Sequence, residues 1–266
     1  MATEKDAIVR EHYKGVAEKY GASAQSTMED EVIRNKEIEQ ILAFVDLVGK
    51  EQSLRIVDLG CGNGYTLGVL TSARPGNKYR GLDASEELLK IARDRQLPNC
   101  EFLHSDARHL TLDDNSIDAI YTERCLINIL DWKQQLDAFR EIHRVLIPGG
   151  HYLMIECFTD GLQNNNKARE ECGLDSLKEA YHNKYFEKER LFEAIDDLFT
   201  IVEPSTLASN FLSSHYFIAR VLHPLVTKGT AIKNTEFVKF FSMLPPFGNY
   251  SPIQSYILRK RNANRT

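Results

Sequence analysis

The stretch RIVDLGCGNGYTLGVL, residues 55–70, constrains the fold most. A run of β-formers carries an acid, Asp58, and passes directly into Gly60, Gly62 and Gly64, followed by an apolar segment of helical character. Strand, glycine turn and helix in that order open a doubly wound sheet, whose ligands bind at the carboxyl ends of its strands. The dinucleotide fingerprint G-x-G-x-x-G would need a third glycine at position 65, where this chain has Tyr65. Asp58 weakens the pyrophosphate reading further, because its carboxylate would lie near the phosphates. A cationic ligand tolerates it far better.

The rest of the chain repeats this unit. Amphipathic runs over residues 3–20 and 30–48 predict two helices before the first strand. KYRGLDAS, CEFLHSDA and SIDAIYTE read as three further strands, with EELLKIARDRQ as a helix between the first two. DWKQQLDAFREIHRVL places Leu136, Phe139, Ile142, Val145 and Leu146 on one helical face, and IPGG is expected to stop it before the strand HYLMIECF. Beyond residue 160 the pattern loosens. TDGLQNNNKAREECG is polar, EKERLFEAIDDLF reads as a helix, and TIVEP and IQSYILRK as the last strands. The aromatic segment between those two is too long for a simple loop and is expected to form a mostly helical insertion over the sheet edge. Short apolar strands alternating with amphipathic helices predict an α/β fold, a mostly parallel sheet with helices on both faces.

A chain of 266 residues suits one domain with a full core. The formal net charge of −5 offers no basic field for a phosphate backbone, so a nucleic-acid partner is disfavoured. Cys61, Cys100, Cys125, Cys157 and Cys172 are far apart and form no C-x-x-C pair, so no metal site is expected and buried thiols in a reducing compartment are. The first fifteen residues lack the apolar core of a signal peptide, and no segment offers the run of about 18 apolar residues that a membrane span needs. A soluble, cytoplasmic protein is expected.

Two more acids follow the glycine loop. Asp83 in GLDAS lies 19 positions after Gly64, near the spacing at which an acid meets a ribose diol. Asp106 in HSDARHL ends the third strand, where with Ala107 it is placed to take an adenine amine. Three acids in register with the loop converge on one crevice.

VDLGCGNG, GLDAS, HSDA and VLIPGGHYLMIE, in that order, resemble the successive motifs of the class I S-adenosylmethionine-dependent methyltransferases. The likeness is close over residues 54–157. It implies a seven-stranded, mostly parallel Rossmann-like methyltransferase sheet in a single domain, with lid helices over 1–50, the cofactor-binding core over 54–157 and acceptor-side insertions over 158–266. By motif, Gly60, Cys61 and Gly62 would line the methionine part of S-adenosyl-L-methionine, with Asp58 close by. Asp83 and Ala84 would hold the ribose and adenine edge, and Asp106 and Ala107 the adenine amine. TERCLIN would place Glu123 and Arg124 beside the sulfonium, with Asn128 where the family often has a histidine. HYKGVAEKYGAS is similar to a lid helix, with Tyr13 and Tyr20 facing the site, and Arg34 would reach the cofactor carboxylate.

Such chemistry needs alignment, exclusion of water and, for hydroxyl acceptors, a base. The candidates are Glu123 and Glu156 at strand ends, with His182, His215 and Tyr216 in the insertions. Glu123, His215 and Tyr216 are the expected catalytic groups. A faint likeness of the later segments to bacterial sugar-modifying methyltransferases implies O-methylation of a small polar metabolite: a sugar, a surface-polysaccharide precursor or a natural product. S-adenosyl-L-homocysteine would be the second product. Phosphoryl-type, carboxylate and amine acceptors stay open, an RNA or protein acceptor less so. A monomer or homodimer is expected.

Overall fold

Helix α1 (Glu4–Tyr20) runs through a short 3-10 turn to α2 (Glu31–Val48), where the Asp30 carboxylate caps the amides of Val32 and Ile33. The computed structural model describes residues 4–26, 28–49, 53–203, 207–227 and 234–262. The buried stripe of α2, Ile33, Glu37, Ile38, Ile41, Phe44 and Val45, packs on the sheet. There follow β1 (Arg55–Leu59), α3 (Tyr65–Ala73), β2 (Lys78–Asp83), α4 (Glu86–Asp94), β3 (Cys100–His104) and β4 (Ile117–Glu123). A 3-10 turn at Leu126–Asn128 leads to α5 (Trp132–Val145) and β5 (Leu146–Cys157). The chain then forms α6 (Thr159–Glu171), α7 (Lys188–Ala194) and β6 (Phe199–Val202). Next come α8 (Ser213–Phe217), a π-helical segment (Ile218–Leu222), α9 (His223–Val226), α10 (Glu236–Phe241) and finally β7 (Ile253–Lys260).

The seven strands lie in the order β3-β2-β1-β4-β5-β7-β6. The first five are parallel, and β7 is antiparallel to both β5 and β6. Right-handed crossovers from β1 towards β3 and from β4 towards β5 run in opposite directions, which puts α3 and α4 on one face and α5 on the other. The strand order reverses between β1 and β4. Their carboxyl ends therefore open the crevice in which such sheets bind ligands.

The expected seven-stranded, mostly parallel sheet is borne out, two local readings are corrected and one is filled in. IPGG does not precede the fifth strand but lies within it: β5 starts at Leu146, and the register against β4 shifts between Ile117 and Ala119 to absorb the extra residues. The polar run 159–171 is helical. Its asparagines bond to carbonyls outside the helix, Asn164 to Asn249, Asn165 to Tyr250 and Asn166 to Leu177, in place of an apolar stripe. The insertion is helical as expected, yet it covers the carboxyl rim of the sheet. It packs on α6 through Asn165 and on the N-terminus of α2 through the contact of His215 with Asp30.

Among the described residues no helix is long and apolar enough to cross a membrane, and no group of three or more His, Cys, Asp or Glu side chains is arranged to hold a metal ion. The five cysteines are unpaired. Cys61 and Cys157 are buried as expected, whereas Cys172 is exposed.

Candidate active site

The glycine turn is fixed by its neighbours. The amides of Gly60 and Cys61 both donate to the Leu82 carbonyl, at 2.7 and 3.1 Å. Gly60 has φ +86°, and a Cβ there would stand 2.6 Å from Cys125 Sγ. Gly64 has φ +72°, with the Phe102 ring 2.9 Å from where its Cβ would be. Only glycine fits either place. Asp83, at the end of β2, accepts from the Gly62 amide with one oxygen and from the Ser85 amide with the other, each at 2.8 Å. Burial pushes its carboxyl up, although those amides oppose the shift.

Beneath the turn lies a buried acid without a counter-charge. Asp58 is 1% exposed and, among the described residues, has no cation against it. It pairs in register with Tyr121 on β4, whose hydroxyl is the polar group that faces it, and the Thr66 hydroxyl on α3 faces Glu123. Glu123 lies two residues beyond Tyr121 and so shares its face of the sheet. Burial first, and then Glu123, holds the Asp58 carboxyl well above the usual range. Burial and then Glu37 push Glu123 up to about 7, against the pull of Arg124. A cation arriving at the glycine turn, as a sulfonium and its α-ammonium would, favours the ionised form of these buried acids and is attracted by it.

Arg124 turns the chain out of β4 with φ +57°, and its guanidinium spans the Glu37 carboxylate at 2.8 and 3.0 Å. Glu37 is fully buried. Glu156 is used structurally, and burial pushes its carboxyl up to about 7. Its buried carboxylate accepts from the amides of Cys125, Leu126 and Ile127, at 3.0, 2.9 and 3.3 Å, and so holds the 3-10 turn in place. Asn128 ends that turn and donates to the Tyr13 hydroxyl at 2.8 Å and to the Arg124 carbonyl at 3.0 Å.

Helix α1 closes over this crevice. Arg108 bridges Asp6 on α1, at 2.9 Å, and Asp106, at 2.5 Å. Burial would raise the Asp106 carboxyl, but Arg108 outweighs it and lowers it. Behind α1, Asn63 of the glycine turn donates to the carbonyls of Gly21 and Ser23, at 2.8 and 2.9 Å. Arg95 grips the Ala22 and Asn63 carbonyls, both at 2.6 Å.

The structure brings Tyr13, Asp58, Gly60, Cys61, Gly62, Asp83, Glu123 and Arg124 to the crevice. Ala84 follows Asp83, its carbonyl 3.2 Å from His104 Nε2, and Ala107 packs beside Asp106 against the core. Arg34 donates to the Met28 carbonyl at 2.9 Å and lies over the Tyr65 ring, with its buried Nε unpartnered. Tyr216 sits near Cys157, Arg220, Glu37 and Arg124, and burial raises its hydroxyl. Two expectations are corrected. Tyr20, expected to face the site, donates instead to Glu29, with Lys19 over its ring. His215 is 1% exposed and uses both ring nitrogens structurally, Nδ1 with Ser242 at 2.7 Å and Nε2 with Asp30 at 3.1 Å. It has no lone pair left for an acceptor.

Three site residues were not picked out from sequence: Glu37, Asn63 and Arg108. Glu37 had a signal, since an acid on the apolar stripe Ile33, Ile38, Ile41 must have a buried partner. Asn63 acts through contacts 40 positions away, and although Arg108 also bonds to Asp106 two positions off, its hold on Asp6 spans 102.

Residues 56–150 match the family model described as a methyltransferase domain. Over 109 residues the chain is 41% identical to an uncharacterized 37.1 kDa protein in transposon TN4556 of Streptomyces fradiae, covering 40% of this chain and 31% of that protein. Over 197 residues it is 27% identical to the malonyl-[acyl-carrier protein] O-methyltransferase of a Marinomonas species, covering 73% and 69%. The chain thus spans about a third of the first of these relatives. A chain from the complex of the Haloferax volcanii Trm112 methyltransferase activator with a methyltransferase superposes at TM-score 0.63 and 18% identity, covering 97% of this chain and all of that one, a likeness of fold. Residues 56–150 are thus similar to a methyltransferase domain, and the glycine turn and strand-end acids have the layout of a class I S-adenosylmethionine-dependent one. The cofactor of that family is S-adenosyl-L-methionine, which leaves as S-adenosyl-L-homocysteine. The crevice fits that cofactor: the turn leaves no room for a Cβ at Gly60, and Asp58 lacks a cation.

Proposed function

We propose that the whole chain acts as one methyltransferase domain that transfers a methyl group to a small polar metabolite, an O-methylation of a sugar, a surface-polysaccharide precursor or another natural product. One observation carries this reading: the buried Asp58 beneath the glycine turn, with no cation against it among the described residues, which suits a cationic ligand. When bound, the cofactor supplies a methyl group activated on a sulfonium. Asp58, Gly60, Cys61 and Gly62 would hold its methionine part, with Arg34 at the carboxylate. Asp83 and Ala84 would take the ribose, and Asp106 with Ala107 the adenine amine. Tyr13 and α1 exclude water from the crevice. Glu123, half-neutral near pH 7, and Tyr216 are the proposed groups at the transfer point, with Arg124 held against Glu37 beside them.

The O-methyltransferase named above supports oxygen as the accepting atom. The net charge of −5 supports a small acceptor over nucleic acid. The test is calorimetric titration with S-adenosylmethionine, S-adenosylhomocysteine and NAD. Micromolar binding of the first two without the third is expected, and NAD binding alone would overturn the reading. Glu123→Gln is expected to lower turnover while cofactor affinity is kept; turnover equal to the parent's would return Glu123 to a structural role.

A further inference from the structure

Where α1 meets residues 180–186, the fold leaves polar atoms unused. Asn128 Oδ1, His182 Nδ1 and Asn183 Oδ1 are all buried and without a hydrogen-bond partner. The Lys184 amide donates to the Ile127 carbonyl at 2.7 Å, so this segment lies directly on the turn that carries Asn128. The rings of Tyr13 and His182 meet edge to face at 6.3 Å. Three elements distant in sequence therefore bring these groups together around the Tyr13 hydroxyl.

Their polarity can be assigned. The Arg124 carbonyl can only accept, so Asn128 must turn its Nδ2 towards it and its Oδ1 away. The Tyr13 hydroxyl receives the second Nδ2 hydrogen on a lone pair and keeps its own proton to donate. His182 is stacked on His12, with centroids 3.6 Å apart and planes 17° from parallel. Burial, reinforced by His12, pushes the His182 ring down to about 4, which leaves it neutral at pH 7. Arg124, whose carbonyl takes part in this cluster, has its guanidinium on Glu37. Buried polar atoms are nearly always satisfied, so orphans clustered at a crevice mark a place where something else completes them.

We propose that Asn128, His182 and the Tyr13 hydroxyl form the docking subsite for the methyl acceptor, and that it takes a hydrogen-donating group, an alcohol or an amine. This rests on the methyl-transfer reading above. A carboxylate or phosphoryl oxyanion has no hydrogen to give Asn128 Oδ1. A hydroxyl satisfies both sides at once, donating to Asn128 and accepting from Tyr13. His182 is a positioning residue: a neutral ring with this pKa orients the acceptor and removes no proton from it.

The experiment uses the full chain saturated with S-adenosylhomocysteine and follows the ring signals of 13C-labelled histidine by NMR, with His182 assigned by its loss in His182→Phe. Methyl glucoside, ethylamine, acetate and inorganic phosphate are added separately at pH 7. A saturable shift of His182 by the glucoside or by ethylamine is expected, and which of them acts distinguishes a hydroxyl from an ammonium donor. His182→Phe keeps the stack on His12, removes the nitrogen and should weaken the same probe by about tenfold, measured calorimetrically, the effect of one lost hydrogen bond. S-adenosylhomocysteine affinity should be unchanged. Saturation by acetate or phosphate alone, or by no probe, overturns the proposal. Failure of S-adenosylhomocysteine to bind the same sample overturns the methyl-transfer reading instead.

Discussion

Glu37 and Arg124, 87 positions apart, form a two-point ion pair in which the acid is wholly buried. Arg124 is the residue on which β4 turns into the site, so this contact sets where the turn bearing Asn128 begins. Removing one partner of such a pair strands the other's charge. Glu37→Gln is expected to cost about 3–5 kcal/mol in denaturant unfolding. A loss under about 0.5 kcal/mol, the scatter of ordinary surface changes, would show that the pair is not structural.

Gly60→Ala tests the fit of the glycine turn. The added methyl would meet Cys125 Sγ at 2.6 Å on a backbone with φ +86°. Left-handed strain and overpacking together should cost about 2–5 kcal/mol, read from thermal or denaturant unfolding. Unchanged stability would mean that the turn has another conformation.

Asp83→Ala should weaken S-adenosylmethionine binding by more than about tenfold, because the ribose hydroxyls would lose a buried acceptor. Titration of the folded variant decides this. Equal affinity would remove Asp83 from the cofactor site.

Glu123 gives a pH signature. Its carboxyl is raised in the fold from 4.5 to about 7, so the folded state is penalised as pH climbs from the lower value through the higher one. Glu123→Gln copies the neutral acid. It should therefore be more stable than the parent at pH 8, with the difference fading by pH 4. A constant difference across that range would contradict the assignment.

Asp30 behaves in the opposite way. Burial raises its carboxyl, but His215, Arg220 and the Ile33 amide outweigh this and hold it at about 2. The stability it adds is present above the ordinary aspartate range near pH 4 and is lost as pH falls towards 2, an amount of about 2 kcal/mol. Unfolding curves of the parent and Asp30→Asn should converge over that interval. Parallel curves would mean that His215 does not hold the acid.

The parts of the fold that were legible in sequence are those governed by local pattern. IVDL, YRGLD and DAIYT are buried parallel strands, and burial on both faces makes them apolar runs bounded by turns. IPGG misled because proline and glycine usually end an element, whereas here they form a bulge that one edge of β5 can carry. The asparagines of α6 hid a helix because its stabilising contacts are with residues 177, 249 and 250, which no local window contains. His215 had the position of a base, and only the tertiary approach of Asp30 and Ser242 revealed its use. Strand-end residues such as Asp58, Asp83 and Glu123 were legible because the fold sends every such residue to the same rim.

Arg108 carries one more implication. The guanidinium that holds Asp106 also holds Asp6, so one side chain fastens the front of α1 to the residue expected at the adenine. Tyr13 on that same helix is fixed to Asn128. If the adenine is held at Asp106 as proposed, it competes with Arg108 for that carboxylate, so the fastening of α1 and the seating of the nucleoside are coupled through one side chain.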